Sequence, residues 1–147
     1  MTSRGTLHHL ELWVADLEAA RPSLEWLLGA LGYRLANSWS TGCSWARGAT
    51  YIVVEAGPDV RVNRYDRRNP GLNHVAFHAG SRADVDDLAR EAQRHGWSLL
   101  FEDRHPYAGG SDHYAAYLED GLGFEVELVA SPVEPKVASL KTSRGAG

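Results

Sequence analysis

A single cysteine, Cys43, is all the thiol chemistry this chain holds. That excludes an internal disulfide and a cysteine-built zinc site, and it fits a reducing compartment. Basic residues are also few: 15 lysines and arginines stand against 19 acidic residues, a net charge of −4. They form no basic stripe, so nucleic acid is not an expected partner. No apolar run approaches the roughly 20 residues of a membrane-spanning helix. No signal-peptide core precedes the first strand pattern either. The expectation is therefore a cytoplasmic protein with no membrane partner. What is present is globular material: 147 residues, 44% hydrophobic, with 15 glycines and 6 prolines, which suits one turn-rich domain.

One short pattern occurs twice. Leu7-His8-His9-Leu10-Glu11-Leu12-Trp13-Val14 leads into an apolar helical run at 24–31 and then Gly32-Tyr33. Leu72-Asn73-His74-Val75-Ala76-Phe77-His78 leads into a second run at 85–92 and then Gly96-Trp97. Overlaying His9 on His74 brings the two helices into register. A duplicated strand–helix–strand unit with an equivalent histidine in each copy suggests two half-sites facing one centre.

Residues 7–14 alternate as a strand, with His9, Glu11 and Trp13 on one face and Leu10, Leu12 and Val14 on the other. Leu24, Leu27, Leu28 and Leu31 make one helical face, with Pro22 suited to the first turn and Gly32 to the C-terminal end. Short strands are predicted at 33–38, 44–47 and 50–55. Residues 57–70 are polar, carry Arg61, Arg64, Arg67 and Arg68, and read as a solvated linker. The second half repeats the order: a strand at 73–79, Ser81 as N-cap with Asp84 three residues on, and a helix burying Val85, Leu88, Ala89 and Ala92. Strands at 98–102, 113–118 and 124–129 complete it. The reading is an α+β domain over 6–131 made of two βαβββ modules (6–57 and 70–131), with a flexible tail at 132–147.

His9 and His74 occupy matching strand positions, and Glu127 is a third candidate. In Phe124-Glu125-Val126-Glu127-Leu128 the alternation separates the glutamates from the apolar residues. Two imidazoles and one carboxylate are a common donor set for Fe(II), Mn, Ni or Zn with positions left open for a substrate oxygen. His78 shares the strand parity of His74, and His113 that of Tyr117. Either histidine beside a metal suits general acid–base work. The loop Arg104-His105-Pro106-Tyr107-Ala108-Gly109-Gly110 suits a lid or entrance.

The stretches His9-Leu-Glu-Leu-Trp-Val-Ala-Asp16, Gly71-Leu-Asn-His74-Val-Ala-Phe and Tyr117-Leu-Glu-Asp-Gly-Leu-Gly-Phe-Glu-Val-Glu127 resemble modules of the vicinal oxygen chelate superfamily. That superfamily includes glyoxalase I, extradiol dioxygenases, fosfomycin-resistance transferases and bleomycin-binding proteins. The resemblance implies a cupped mixed sheet and a divalent metal on His9, His74 and Glu127. It also implies an active-site tyrosine at Tyr117; with Glu127, and with His113 added by its strand parity, Tyr117 makes up the expected catalytic group. Glyoxalase I adds a glutamate late in its first module. Glu55 is the nearby candidate, and its strand register is open because a one-residue slip changes the face.

Taken singly these residues have plainer readings. A strand histidine is ordinarily half-buried and bonded to backbone or water, and only the pairing of His9 with His74 and Glu127 points to a metal. His8 faces away from His9 and reads as structural. Glu125 reads as solvent-facing, Tyr117 equally as a core aromatic, and the tryptophans as core or cavity wall, although Trp13 shares the His9 face and suits an aromatic ligand. Cys43 shows no charge pattern that would make it reactive.

The resemblance implies a metal-dependent, glyoxalase-like lyase or isomerase acting on a small oxygenated substrate. The alternatives are extradiol cleavage and a non-catalytic, ligand-sequestering module of the bleomycin-resistance kind. A homodimer is expected, with the site closed either within one chain or between two.

Overall fold

The computed structural model describes residues 4–61 and 64–133. The element order is β1 (His9–Trp13), α1 (Leu17–Ala30), β2 (Arg34–Trp39), β3 (Gly42–Arg47), β4 (Thr50–Glu55), β5 (Val75–His78), α2 (Arg82–Ala92), a 3₁₀ turn (Gln93–His95), β6 (Trp97–Leu99), β7 (Ala115–Asp120) and β8 (Glu125–Val129). These form two four-stranded sheets of the same topology, β1-β4-β3-β2 and β5-β8-β7-β6. In each, the first strand pairs parallel with the last and the other pairs are antiparallel. The parallel pair needs a crossover, and the helix supplies it. The duplicated α+β organisation read from the sequence is the organisation found.

Helix α1 begins seven residues earlier than its leucine pattern. Asp16 accepts from the backbone N–H groups of Glu18 (3.0 Å) and Ala19 (3.2 Å) and so sets the start. Pro22 therefore lies inside the helix and not in its first turn. Its missing N–H frees only the carbonyl of exposed Glu18, which water can satisfy. The helix ends as expected: Gly32 takes φ +89°, and the Tyr33 N–H bonds the Leu28 carbonyl at 2.8 Å. Helix α2 opens on the capping box of Ser81 and Asp84.

The apolar faces of both sheets share one core. Leu10, Leu12 and Ile52 of the first sheet, Leu24 and Leu27 of α1, and Phe77 and Val126 of the second line a single seam. The seam is tied by a buried hydrogen bond from the Trp97 indole to the Ser23 carbonyl, 3.0 Å. Strand alternation then turns the other face of each sheet away from the seam. His9, Glu11 and Trp13 lie on one such face, and Glu125, Glu127 and Tyr117 on the other.

Trp97 is 2% exposed and joins the halves through both packing and its hydrogen bond. Trp97→Ala is expected to lower unfolding stability by about 3–5 kcal/mol, measured by urea denaturation.

Candidate functional site

Glu127 lies in mid-strand on β8, directly across the antiparallel ladder from Tyr117 on β7. Both side chains therefore stand on the same open face. Glu127 is 5% exposed, yet both of its carboxylate oxygens are engaged. Oε2 meets Nε2 of His74 at 3.0 Å, and Oε1 meets Nε2 of His113. The Tyr117 ring stands edge-on to His74 (5.9 Å between centroids) and to Phe101 (5.5 Å). His74, His113, Tyr117 and Glu127 are thus brought together.

Two of these positions differ from the sequence-based strand limits. β5 begins at Val75 and β7 at Ala115, so His74 and His113 occupy the entries to strands and not the strands themselves. There the chain is free to tilt both imidazoles onto one carboxylate. The glycine-rich loop closes over the same spot. A Cβ on Gly109 would stand 2.5 Å from the Tyr117 hydroxyl oxygen and 2.7 Å from Cδ2 of His113, so only glycine permits that approach.

Hydrogen bonds fix the state of His74. The Asn73 amide donates through Nδ2 to the Arg67 carbonyl (3.1 Å), which turns its Oδ1 toward His74. Nδ1 of His74 donates to that oxygen at 2.7 Å. Nε2 then faces the Glu127 carboxylate. A bare nitrogen lone pair and a carboxylate oxygen repel each other, so a positive centre, either a proton or a metal ion, belongs between them. A histidine oriented by an amide or carbonyl on its far nitrogen is also the usual arrangement of a metal ligand.

Burial, then the hydrogen bond and charge of Glu127, push the Tyr117 phenol up to about 12. At neutral pH it is a proton-bearing hydrogen-bond donor.

His9 stands apart from this group. It is exposed on the other sheet, its ring stacked on Tyr51 at 4.7 Å and its Nδ1 2.9 Å from that of His8. Glu55 shares the His9 face, but the β1–β4 register pairs it with Trp13 and pairs His9 with Tyr51. Four residues of strand, roughly 13 Å, separate the two rungs. The Glu55 carboxylate instead accepts the Trp39 indole N–H at 2.7 Å. His78 lines a different cleft, with Trp26, Asp87 and Glu91. Among the described residues of one chain, no three His, Cys, Asp or Glu side chains are grouped so as to hold a metal ion.

Three expectations are overturned. His8 does not face away from His9: both imidazoles lie against Tyr51. Glu125 is not solvent-facing but 6% exposed, and the Arg67 Nε meets it at 2.5 Å. The connecting segment is accordingly not a solvated linker throughout. Tyr65 stacks on Phe124 (4.5 Å), its N–H bonds the Leu122 carbonyl (3.1 Å), and Arg67 also reaches Glu119 (3.2 Å). Sequence reasoning placed Arg67 in a solvated linker and gave Asn73 no role. The available signal was that two glutamates on a strand flanked by apolar residues need a cation close by. Cys43 is fully buried, and burial pushes its thiol up, away from reactivity.

Burial pushes the Glu125 carboxyl up, while Arg67 pulls it back. Arg67→Ala should therefore cost about 3–5 kcal/mol of stability by leaving a buried charge alone. A folded pKa raised further favours the protonated form, so stability falls as pH rises through it. Urea titrations of the variant should show a larger deficit near about pH 8 than near about pH 5, and adding Glu125→Gln should recover part of the loss.

The family model of the glyoxalase/bleomycin resistance protein/dioxygenase superfamily matches residues 8–117. The protein YqjT of Bacillus subtilis (strain 168) is 45% identical over 125 residues, covering 84% of this chain and 98% of that protein. A glyoxalase candidate from Bacillus halodurans is 45% identical, with a TM-score of 0.83 over 88% of this chain and 98% of that one. The fosfomycin resistance protein FosX of Listeria monocytogenes, crystallised with Mn(II) and a dihydroxypropylphosphonic acid, shares the fold at 19% identity and a TM-score of 0.61, over 88% of this chain and 93% of that one. The duplicated modules, their topology and these matches agree: the chain belongs to the glyoxalase/bleomycin resistance protein/dioxygenase superfamily, the vicinal oxygen chelate group.

Proposed function

We propose that the protein is a metal-dependent enzyme of glyoxalase type, a lyase or isomerase acting on a small substrate with two neighbouring oxygens. The observation that carries this is the His74–Glu127 contact. There an imidazole nitrogen, held in one tautomer by Asn73, is turned onto a buried carboxylate. The donor types fit Zn, Ni, Mn or Fe(II). His74 and Glu127 would hold the metal with His9. When bound, it would supply Lewis acidity to the substrate oxygens.

The protein's own groups then have distinct tasks. Tyr117, protonated at neutral pH, donates a hydrogen bond toward the oxygen on which charge develops. His113 is in position to carry a proton at Nε2, on the second oxygen of Glu127.

His9 belongs to the open face of the first sheet, and Glu127 to that of the second. Both faces turn away from the shared core, so we read the functional unit as a homodimer in which His9 of the partner subunit completes each centre. The incomplete donor grouping within one chain supports this.

The protein purified without a tag is expected to carry about one divalent metal per chain by elemental analysis. His74→Ala and Glu127→Ala should each abolish stoichiometric binding while far-UV circular dichroism stays unchanged. Metal retained in His74→Ala would overturn the donor set. No metal in the parent under any loading condition would favour a ligand-sequestering module instead.

A further inference from the structure

A groove of about 450 Å³ lies between the end of α1 and α2, and it shares no lining residue with the Glu127 group or with His9. Its apolar floor is Trp26 and Leu31 from the first half and Leu88 from the second. The Trp26 ring is held by stacking on His95, 4.5 Å between centroids. One wall is acidic. Asp84, Asp87 and Glu91 follow at i, i+3 and i+7, so they share one face of α2 with Leu88. Against these three carboxylates the lining holds one arginine, Arg47, together with His78. Asp87 and Glu91 pair with Arg90 (2.8 Å) and Arg94 (3.2 Å) on their own helix. Such exposed pairs are weak in water and leave the carboxylates open to a second cation.

The chain itself leads to this groove. After β8 the Ala130 N–H bonds the Tyr114 carbonyl at 2.9 Å, and the Ser131 N–H bonds the Gly80 carbonyl at 2.6 Å. Gly80 lines the groove beside Asp84. Pro132 has no N–H to continue the pairing. Of the tail read at 132–147, residues 134–147 lie outside the described residues. Their sequence carries Lys136, Lys141 and Arg144 against Glu134, with Val137 and Leu140 between the two lysines. The lysines thus flank an apolar pair as Asp87 and Glu91 flank Leu88. Reach is sufficient: the eight residues from Val133 to Lys141 can span up to about 26–29 Å, whereas the acidic face from Asp84 to Glu91 is about 10 Å long.

We propose that the C-terminal segment of the same chain docks in this groove. Val137 and Leu140 pack against Trp26 and Leu88, and the cations lie on Asp87 and Glu91. Tethering makes a weak contact sufficient: at an effective concentration on the order of 1 mM, a contact with a Kd of about 1 mM is about half occupied. Docked, the segment bridges α1 and α2, one helix from each half. None of this rests on the metal reading.

The test attaches a nitroxide to Ser143→Cys in the full-length protein and follows the indole resonances in ¹H–¹⁵N spectra. Cys43 is fully buried with its thiol pushed up, so the new cysteine alone takes the label. Trp26 is assigned by its loss in Trp26→Phe, and each sample is compared with itself after ascorbate reduction. The Trp26 signal is expected to weaken at least about two-fold in the oxidised sample, and Trp13 and Trp39 much less. Adding Lys136→Glu, Lys141→Glu and Arg144→Glu, which leaves the described fold untouched, should restore the Trp26 signal.

Three results would overturn the proposal: a Trp26 signal indifferent to the nitroxide, equal weakening at Trp13 and Trp39, or weakening that survives the three charge reversals. A fourth comes from mixing ¹⁵N-labelled parent with unlabelled, nitroxide-bearing protein. Weakening of Trp26 there would make the occupant the segment of a second copy and not that of the same chain.

Discussion

Each half of this chain builds a sheet with one apolar face and too little material to bury it alone. The two halves solve this together by packing those faces and their helices into one core, tied by Trp97 to Ser23. That choice determines everything on the outside. The faces left open are those bearing His9 in one half and Glu127 in the other, and a single core cannot bring them face to face. Our proposal that the duplicated histidine acts in an assembly of two chains follows from that arrangement.

The second sheet bears a cost that the first does not. Glu125 and Glu127 lie two residues apart on a buried strand, and two carboxylates there repel each other and lose hydration. Arg67 compensates Glu125. Glu127 is left with His74, His113 and the Tyr117 phenol, groups that can hold or move protons. Arg67 and Asn73 both come from the segment between the halves. That segment is pinned by the stacking of Tyr65 on Phe124 and by the Tyr65 N–H bond to Leu122, next to the turn that Asp120 holds by accepting from Leu122 and Phe124. One connecting strip thus neutralises one carboxylate and orients the histidine of the other.

Much of this was legible in the sequence because its causes are local. Alternation in residues 9–13 separates His9 from Leu10, the Ser81–Asp84 box starts α2, and β4 follows its β-branched run. The repeat itself predicted the shared topology. The start of α1 was not legible from its leucines, because Asp16 and the exposed side of the helix decide it. Nor was the burial of Glu125, since its counter-charge lies in a distant segment and no pattern along one strand reveals it. The same holds for Glu55. The strand fixes its face, but only the ladder across to β1 shows that Trp13, and not His9, is its neighbour.

The central claim is that one metal centre draws on the two open faces of two different copies. The most direct test mixes two variants, His9→Ala and His74→Ala, each without stoichiometric metal by itself, and isolates the mixed dimer. If the centre spans two chains, one of the two centres in that dimer keeps every ligand intact, and metal returns to about half the parental content. If each centre closes within a single chain, both remain defective and the mixed dimer stays empty, which would contradict the account.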